Sequence, residues 1–324
     1  LVALLPRQID PDAYRFGAPQ QSGKLTVIPI FGIDRTDRFT SPLSGLKLNR
    51  VDGYGRVELH NSDDRRVAIV PLHMGYIQDK AQNHALCRSA FLAAGQILMF
   101  EDACCVQASQ GGYLEKRDQW FFILPLQLRD RALELGGVQD YSKLWDDIAQ
   151  LNTHFGLANQ GHLEQIISRK RAVLTQYQSR LELLPGQTGA LFLLDDKLVG
   201  VEIAPSVAYF QELWMPLVCF CYGVAAMSVE RQAEKLDETL DRSVPKFAAS
   251  NLQELRQELQ QSRQQFRDHL SRCLAKTPAQ TFEVKQEESF LSLTLNTAIG
   301  SDFSGQFVEE DGQLLYLSLN EKNP

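Results

Sequence analysis

The chain has 324 residues, of which 44% are hydrophobic and 23% are charged, and its formal net charge is −7 at pH 7. These proportions are those of a folded globular protein, and they exclude a disordered or fibrous chain. The negative net charge gives no overall positive field for a phosphate backbone, so nucleic acid is not expected as a main partner. The length allows about two domains or one elaborated domain.

The cysteines and the most apolar run both bear on the compartment. Six cysteines are scattered along the chain without C-x-x-C spacing. Such thiols are typical of a reducing cytosol, so we predict a cytoplasmic protein.

The most apolar run, residues 213–227, is shorter than the roughly 20 residues that cross a bilayer and contains Pro216. It is therefore predicted to be a core helix, with no membrane as a partner.

The N-terminal half has the composition of a sheet. Residues 1–23 contain several prolines and no sustained period, which predicts an irregular leader. A β-rich run follows at 25–31, and short apolar runs at 57–59 and 67–72 flank a polar turn, which predicts a pair of neighbouring strands. Three further β-like runs come next, at 85–93, 96–106 and 120–126.

Helical spacing begins near residue 141 and predicts two helices that end at Pro185-Gly186. Two apolar runs then flank Asp195-Asp196-Lys197, a pattern typical of a β-hairpin. A long buried helix is expected to begin at Pro205, because proline suits the first helical position.

The C-terminal part returns from helices to strands. A helical stripe over 228–244 is expected to stop at Pro245, and a second helix of about 25 residues to follow with Ser250 as its cap and Gln253 reaching back. Runs near 282, 290 and 314 favour strands. Without regular βαβ alternation, the fold class is predicted to be α+β with mixed or antiparallel pairing. The predicted divisions are an irregular leader at 1–23, an α+β core domain at 24–227, a helical segment at 228–280, and a C-terminal β segment at 281–324 packed on the core.

Familiar catalytic motifs are missing from the sequence. There is no G-x-G-x-x-G, no phosphate-binding loop and no G-x-S-x-G, which disfavours a Rossmann dehydrogenase and a serine hydrolase. Imidazole and thiolate ligands at His73, His84, Cys87 and Cys104 or Cys105 suit zinc by type, but their spacings match no standard pattern. We predict no metal and no cofactor.

A polar segment between two β runs is the best candidate for a site. Lys80 can pair with a phosphate, the amides of Gln82 and Asn83 can donate and accept, and the imidazole of His84 can titrate near neutrality. The alternative is that the segment is a well-bonded polar connection without a ligand. His154, His162 and His269, which lie near helix ends or beside a stripe, are expected at the surface.

The order of several short motifs resembles a known family. The sequences Ala81-Gln82-Asn83-His84 and Cys105-Val106-Gln107 occupy the places of a Lys-Gln-Asn-Arg-like loop and a Cys-Val-Glu-like strand end. With this order the chain resembles an uncharacterised bacterial family named for gene association with ADP-ribosylglycohydrolases and rhodanese-phosphatase proteins. The resemblance covers most of residues 24–319. His84 and Gln107 depart from the arginine-like and acidic residues of the family.

The resemblance implies a link to NAD and ADP-ribose metabolism. We therefore predict that the chain binds or processes an NAD-derived or ADP-ribose-like ligand, a nucleotide-like small molecule. If it is a hydrolase, His84 is the acid or base. The predicted ligand-binding residues are Lys80, Gln82, Asn83, Cys105 and Gln107.

A noncatalytic role stays open beside this prediction. The helix at 250–274 is glutamine-rich and has a leucine stripe, which is typical of helices that pair with a protein partner. The chain would then be an interaction or scaffold protein without an active site. The same stripe would also fit a helix that packs on its own core.

Overall fold

A computed structural model describes residues 14–35, 37–77, 82–108, 120–234, 249–275, 281–322 and 324. The strands are β1 (Arg15–Phe16), β2 (Gln20–Ser22), β3 (Leu25–Phe31), β4 (Leu46–Val51), β5 (Val57–Asn61), β6 (Ala68–Ile69), β7 (Met74–Ile77), β8 (His84–Ala85), β9 (Phe91–Leu92), β10 (Ile97–Phe100), β11 (Cys104–Cys105), β12 (Trp120–Ile123), β13 (Gly189–Leu194), β14 (Lys197–Ile203), β15 (Glu283–Phe290), β16 (Leu293–Ile299), β17 (Phe303–Glu310) and β18 (Gln313–Glu321). The helices are α1 (Pro42–Gly45), α2 (Leu126–Glu134), α3 (Trp145–His154), α4 (Glu164–Arg169), α5 (Arg171–Arg180), α6 (Val207–Met215), α7 (Tyr222–Glu234) and α8 (Leu252–Ala275), with a π-helical segment, Pro216–Cys221, between α6 and α7.

The largest sheet joins the two ends of the described chain. Its strand order is β1-β3-β13-β14-β18-β17-β16-β15, and β2 pairs with β3. Neighbouring strands of this sheet run antiparallel. The α+β class is thereby confirmed. The C-terminal strands continue the sheet of β3, β13 and β14, so the segment expected at 281–324 is part of the core sheet.

This sheet is buried on both faces because apolar residues occupy both phases of the strand alternation. Val27 of β3 packs into the main core beneath the helices, whereas its neighbour Ile28 packs into a second apolar cluster on the opposite face. Phe16, from the β1 edge, and Val284, from the β15 edge, both pack against that second cluster. The sheet therefore curves around it, as a twisted antiparallel sheet can.

The hairpin expected around residues 195–196 is confirmed. Strands β13 and β14 pair across a two-residue loop in which Asp195 and Asp196 have φ angles of 49° and 66°. Two consecutive left-handed residues give the turn that matches the twist of paired strands, and aspartate tolerates this conformation.

Two expectations for the N-terminal half are wrong. Within the supposed leader, β1 and β2 both pair with β3, while residues 1–13 lie outside the described residues. The runs near 57 and 67 do not pair with each other: β5 lies between β4 and β10, and β6 pairs with β9. The side-chain amide of Asn61 donates to the carbonyls of Arg66 and Leu92, which turns the chain away from β5.

The apolar helix begins later and runs longer than expected. The first helical residue is Val207 and not Pro205. Ser206 is the cap of α6, and its hydroxyl accepts a hydrogen bond from the Tyr209 backbone amide at 3.1 Å. Helical structure then continues over Val207–Gln232, 26 residues, which by length and composition could cross a membrane; 72% of its most apolar part is buried inside the protein. Pro216 starts the π-helical segment, because a proline cannot donate the usual helical hydrogen bond.

The cap of helix α8 lies one residue later than the predicted Ser250, and the helix begins at Leu252. Asn251 is the cap, since its side-chain oxygen accepts from the amides of Gln253 and Glu254. Glu254 reaches back to the Ser250 amide at 2.9 Å, so the reciprocal capping pattern is present with glutamate in place of Gln253. The break expected near Pro245 lies outside the described residues.

A buried ion pair connects the helices to the large sheet. Arg129 of α2 has no exposed surface, and its Nη1 donates to the Glu202 carboxylate of β14 at 2.6 Å. Its Nη2 donates to the Ser318 hydroxyl of β18. Tyr222 of α7 donates to the same Glu202 oxygen at 2.8 Å. Burial alone lowers the pKa of Arg129, but the charge of Glu202 and its hydrogen bond raise it above its ordinary value.

His73 completes this network from the loop before β7. Its Nδ1 accepts a hydrogen bond from Arg129 Nε at 3.2 Å, and its φ angle of 62° lies in the left-handed region. Burial and then the nearby Arg129 charge hold the pKa of His73 well below its ordinary value, so the imidazole is neutral. Gly200 leaves room for the network, since a Cβ there would lie 2.0 Å from the Tyr222 hydroxyl.

We expect Arg129→Met to lower the free energy of unfolding by about 3–5 kcal/mol, because it leaves the Glu202 carboxylate buried without its cation. The matched control is Arg131→Met on the same helix: Arg131 is half exposed and pairs with Glu134 at 3.1 Å, so its loss is expected to cost under about 1 kcal/mol. Urea unfolding measures both. Equal small losses for the two variants would contradict the structural role of the buried pair.

Candidate functional site

The predicted polar residues come together where β8 meets β11. His84 pairs with Cys105 and Ala85 with Cys104 in an antiparallel ladder. Hydrogen bonds of their backbones or side chains link Gln82, Asn83, His84, Cys105 and Gln107 into one group, which we call the amide cluster. Lys80, the predicted phosphate contact, lies outside the described residues.

Both ring nitrogens of His84 are engaged by backbone groups. Nδ1 lies 2.8 Å from the Gln82 carbonyl oxygen, and Nε2 lies 3.0 Å from the Gly55 amide nitrogen. A carbonyl can only accept and an amide can only donate, so Nδ1 bears the proton and Nε2 is the acceptor. Protonating Nε2 would bring two donors face to face.

This environment keeps His84 neutral. Burial lowers its pKa to about 4, even though the Gln82 carbonyl acts in the opposite direction. The expectation that His84 titrates near neutrality is therefore wrong. The physical reason is loss of solvation: His84 is 2% exposed, and the charged form of a buried imidazole is disfavoured.

Asn83 and Gln107 hold the two segments in register. The side-chain oxygen of Gln107 accepts a hydrogen bond from the backbone amide of Asn83 at 3.1 Å. The backbone carbonyl of Asn83 accepts one from the backbone amide of Val106 at 2.9 Å. Both side chains are buried, with Asn83 1% and Gln107 3% exposed. Gln107 at this position supplies an acceptor without a charge.

Cys105 and Gln82 form the other side of the amide cluster. The Cys105 thiol lies 3.6 Å from the Gln82 side-chain oxygen and 3.3 Å from the Gln107 carbonyl. Burial raises the pKa of Cys105, so the thiol stays protonated and acts as a weak donor. Gln82 is half-buried, which leaves part of the amide cluster accessible.

A further polar residue, His162, borders the amide cluster and was missed as part of it in the sequence. His162 makes a backbone bridge with Gln107, and the next amide, of Leu163, donates to the Val106 carbonyl. His162 and Glu164 are each 2% exposed, so the surface position expected for His162 is wrong. Burial lowers the pKa of His162 as well. No local signal marks these residues, because a long stretch of sequence separates them from Gln107.

The other metal-type residues do not join the amide cluster. His73 belongs to the Arg129 network, whereas Cys87 and Cys104 contact each other. Among the described residues, no group of three or more His, Cys, Asp or Glu side chains could hold a metal ion. The amide cluster thus consists of neutral donors and acceptors.

Comparison with known proteins gives one match. A family model, the ARG and Rhodanese-Phosphatase-superfamily-associated Protein domain, matches residues 13–304. No curated protein and no solved structure shows a significant match. The matched range includes the whole amide cluster and the Arg129–Glu202 pair.

The buried histidines predict a pH dependence of stability. The folded-state pKa of His84 is about 4, below its ordinary 6.5, so its contribution is present above 6.5 and is lost as the pH falls towards 4. We expect the free energy of unfolding to fall between about pH 7 and pH 5 by up to about 1.4 kcal/mol per pH unit from this group.

Urea unfolding at several pH values tests this for His84→Gln, which should show a shallower pH slope than the unmodified protein. His154→Gln is the matched control, since His154 is an exposed histidine that donates to or accepts from Ser228 at 2.7 Å. An unchanged slope in His84→Gln would show that His84 is accessible to protons in the folded state.

Proposed function

The chain belongs to the ARG and Rhodanese-Phosphatase-superfamily-associated Protein family, and from this premise we propose that it binds a nucleotide-like ligand, NAD-derived or similar to ADP-ribose, at the amide cluster. The observation that supports the proposal best is that hydrogen bonds gather Gln82, Asn83 and Gln107 at the pairing of β8 with β11. The two segments that provide them are 23 to 24 residues apart in sequence.

The chemistry of the amide cluster suits the nucleoside part of such a ligand. Side-chain amides offer both a donor and an acceptor, which is what the edge of a base and neutral hydroxyls need. A carboxylate such as Glu164 is a good acceptor for ribose hydroxyls, as in dinucleotide-binding proteins. Lys80, close in sequence, is the proposed cation for the diphosphate.

Binding is better supported than hydrolysis. A general acid or base needs a pKa near the working pH, whereas His84 is neutral and both of its nitrogens are occupied. Gln107 cannot exchange a proton at neutral pH. We accordingly propose recognition by these residues and assign no acid–base step to His84.

Ligand binding can be tested by thermal unfolding with ADP-ribose and with NAD. A ligand at about 100 times its dissociation constant should stabilise the folded protein by roughly 2.7 kcal/mol. We expect Gln82→Ala and Lys80→Ala to reduce the ligand-induced shift in unfolding temperature. Gln82 is half-buried, so its loss removes ligand contacts without opening the core, and the loss of Lys80 removes the proposed cation for the diphosphate. The matched controls are Gln253→Ala and Lys285→Ala, which replace the same residue types at exposed positions on α8 and β15.

Equal shifts in the Gln82 variant and its control would remove the amide cluster from the site. No shift with either nucleotide would favour the second candidate function instead. A large loss of stability in Gln82→Ala without ligand would identify the cluster as a purely structural connection.

The second candidate is an interaction protein that uses α8, and one observation favours it. Leu252 is 75% exposed and Leu259 is 37% exposed, so these two members of the leucine stripe face solvent, while Leu255 between them is half-buried. The first half of α8 is acidic at 254 and 258 with one basic residue at 256, and the second half is basic at 263, 267 and 272 with one acidic residue at 268. Two antiparallel copies of α8 would place the acidic part of each against the basic part of the other, so we propose a second copy of this chain as the partner.

Sedimentation equilibrium over a range of concentrations tests this association. We expect dimers that weaken at high salt, and a dissociation constant at least about tenfold higher in the Leu252→Gln, Leu259→Gln double variant. Leu291→Gln is the control, since Leu291 is 87% exposed in a turn away from α8. A protein that stays monomeric at every concentration would end the proposal.

A further inference from the structure

Two buried cysteines lie in contact beside the amide cluster but outside it. The Sγ atoms of Cys87 and Cys104 are 2.8 Å apart, and the two residues are 1% and 0% exposed. The β8–β11 pairing brings Cys104 opposite Ala85, and the Leu86 amide, donating to the Met74 carbonyl, directs the chain back towards it. The contact is thus a product of strand register.

Additional interactions hold the two segments together. Arg88, next to Cys87, forms an ion pair with Asp102 at 3.4 Å, and its guanidinium lies 5.1 Å from the centre of the Phe100 ring. Lys143 donates to the Asp102 carbonyl at 2.7 Å, which places an ammonium group near the two sulphur atoms. These contacts hold the segment that contains Cys87 against the segment that contains Cys104, so the two sulphur atoms face each other.

The two thiols are electrostatically different. The hydrogen bond from Cys104 lowers the pKa of Cys87 against the effect of burial, and the Lys143 charge lowers it further. The pKa of Cys104 is raised, first by that same hydrogen bond and then by burial. The shifts make Cys87 the more acidic thiol of the pair and Cys104 the thiol that keeps its proton longer, an order typical of a nucleophilic and a resolving cysteine.

We propose that Cys87 and Cys104 are a redox-active dithiol that hydrogen peroxide oxidises to an intramolecular disulfide. Peroxide is small and uncharged, so a local opening of the surrounding structure is enough to admit it. The Cys87 thiol loses its proton and the thiolate attacks one peroxide oxygen: an S–O bond forms, the O–O bond breaks, and the departing hydroxide takes up the proton that the Cys87 thiol lost, as water.

The second step closes the disulfide. The Cys104 sulphur attacks the Cys87 sulphur, the S–S bond forms, the S–O bond breaks, and the hydroxyl group leaves with the Cys104 proton as a second water. Two thiols have then lost two electrons and two protons, and one peroxide has been reduced to two waters.

Pairings of Cys87 or Cys104 with Cys105 or Cys221 do not fit the geometry. Cys105 follows Cys104 on the same strand, so its side chain points to the opposite face, where it contacts Gln82 and Gln107. Cys221 lies in the π-helical segment, and its sulphur is 3.6 Å from Nη1 of Arg129. The proposal therefore specifies one cross-link and names Cys105 as a cysteine that stays reduced.

The experiment treats the reduced full-length protein with hydrogen peroxide, alkylates the remaining thiols and maps the peptides by mass spectrometry. We expect the loss of two alkylatable thiols, a peptide in which Cys87 and Cys104 are cross-linked, and recovery of both thiols with dithiothreitol. Cys104→Ser should stop the reaction at a Cys87 sulfenic acid that dimedone traps. The matched control Cys105→Ser should form the cross-link as the unmodified protein does.

The unmodified protein alone can overturn the proposal, so the test survives if a variant fails to fold. A peptide map with all thiols still alkylated after peroxide, while the protein remains folded, would refute it. A cross-link that contains Cys105, or overoxidation of Cys87 without a cross-link, would also refute it.

Discussion

The guanidinium of Arg129 has no contact with solvent, so each of its N–H groups depends on an acceptor inside the protein. Those acceptors come from separate parts of the chain: Glu202 on β14, Ser318 on β18 and His73 before β7. A guanidinium fork is planar and rigid, and it fits only one arrangement of these groups. A competing packing would leave a buried charge without its partner, which is among the most costly defects a core can have.

The amide cluster depends on this arrangement through strand pairing. The backbone of His73 leads directly into β7, and Tyr76 of β7 pairs with His84 of β8. Gly75, between them, has the Phe122 ring so close that a Cβ would lie 2.3 Å from it. The position of His84, and hence its contact with the Gly55 amide, follows from how closely β7 packs against β12.

The parts of the fold that depend on residues near each other in sequence could be predicted, whereas the parts that depend on distant residues could not. Strand β3 and the hairpin at Asp195 and Asp196 were predictable, because apolar runs and turn residues lie next to each other in sequence. The partners of β5 were not, since periodicity specifies a face and not a neighbour. Arg129 and Arg131 illustrate the same limit. They are two residues apart on one helix, yet Arg129 is fully buried on the face of Leu126 and Ala132 and Arg131 is half exposed, and the partners of Arg129 are distant in sequence.

For the candidate site, sequence reasoning proposed residues that the structure places next to each other, apart from Lys80, which lies outside the described residues, but it did not predict their electrostatics. Gln82, Asn83, His84, Cys105 and Gln107 do form one cluster, while the low pKa of His84 follows from burial that no local motif encodes. A cluster of neutral groups costs less to keep buried without a ligand than a charged one would, and both ring nitrogens of His84 are already bonded to the backbone. It also offers no charge to a diphosphate, so in the proposed complex the phosphates must meet cations outside the cluster.

Strand β11 connects the two proposals of binding and oxidation. Its adjacent cysteines face opposite sides, so Cys104 contacts Cys87 whereas Cys105 contacts Gln82. A disulfide at Cys104 would constrain the same short strand whose other face lines the amide cluster. Because that strand is only two residues long, a shift on one face cannot be absorbed before it reaches the other. If the proposed disulfide forms, the redox state of the dithiol and the geometry of the amide cluster would therefore be coupled through a single backbone segment.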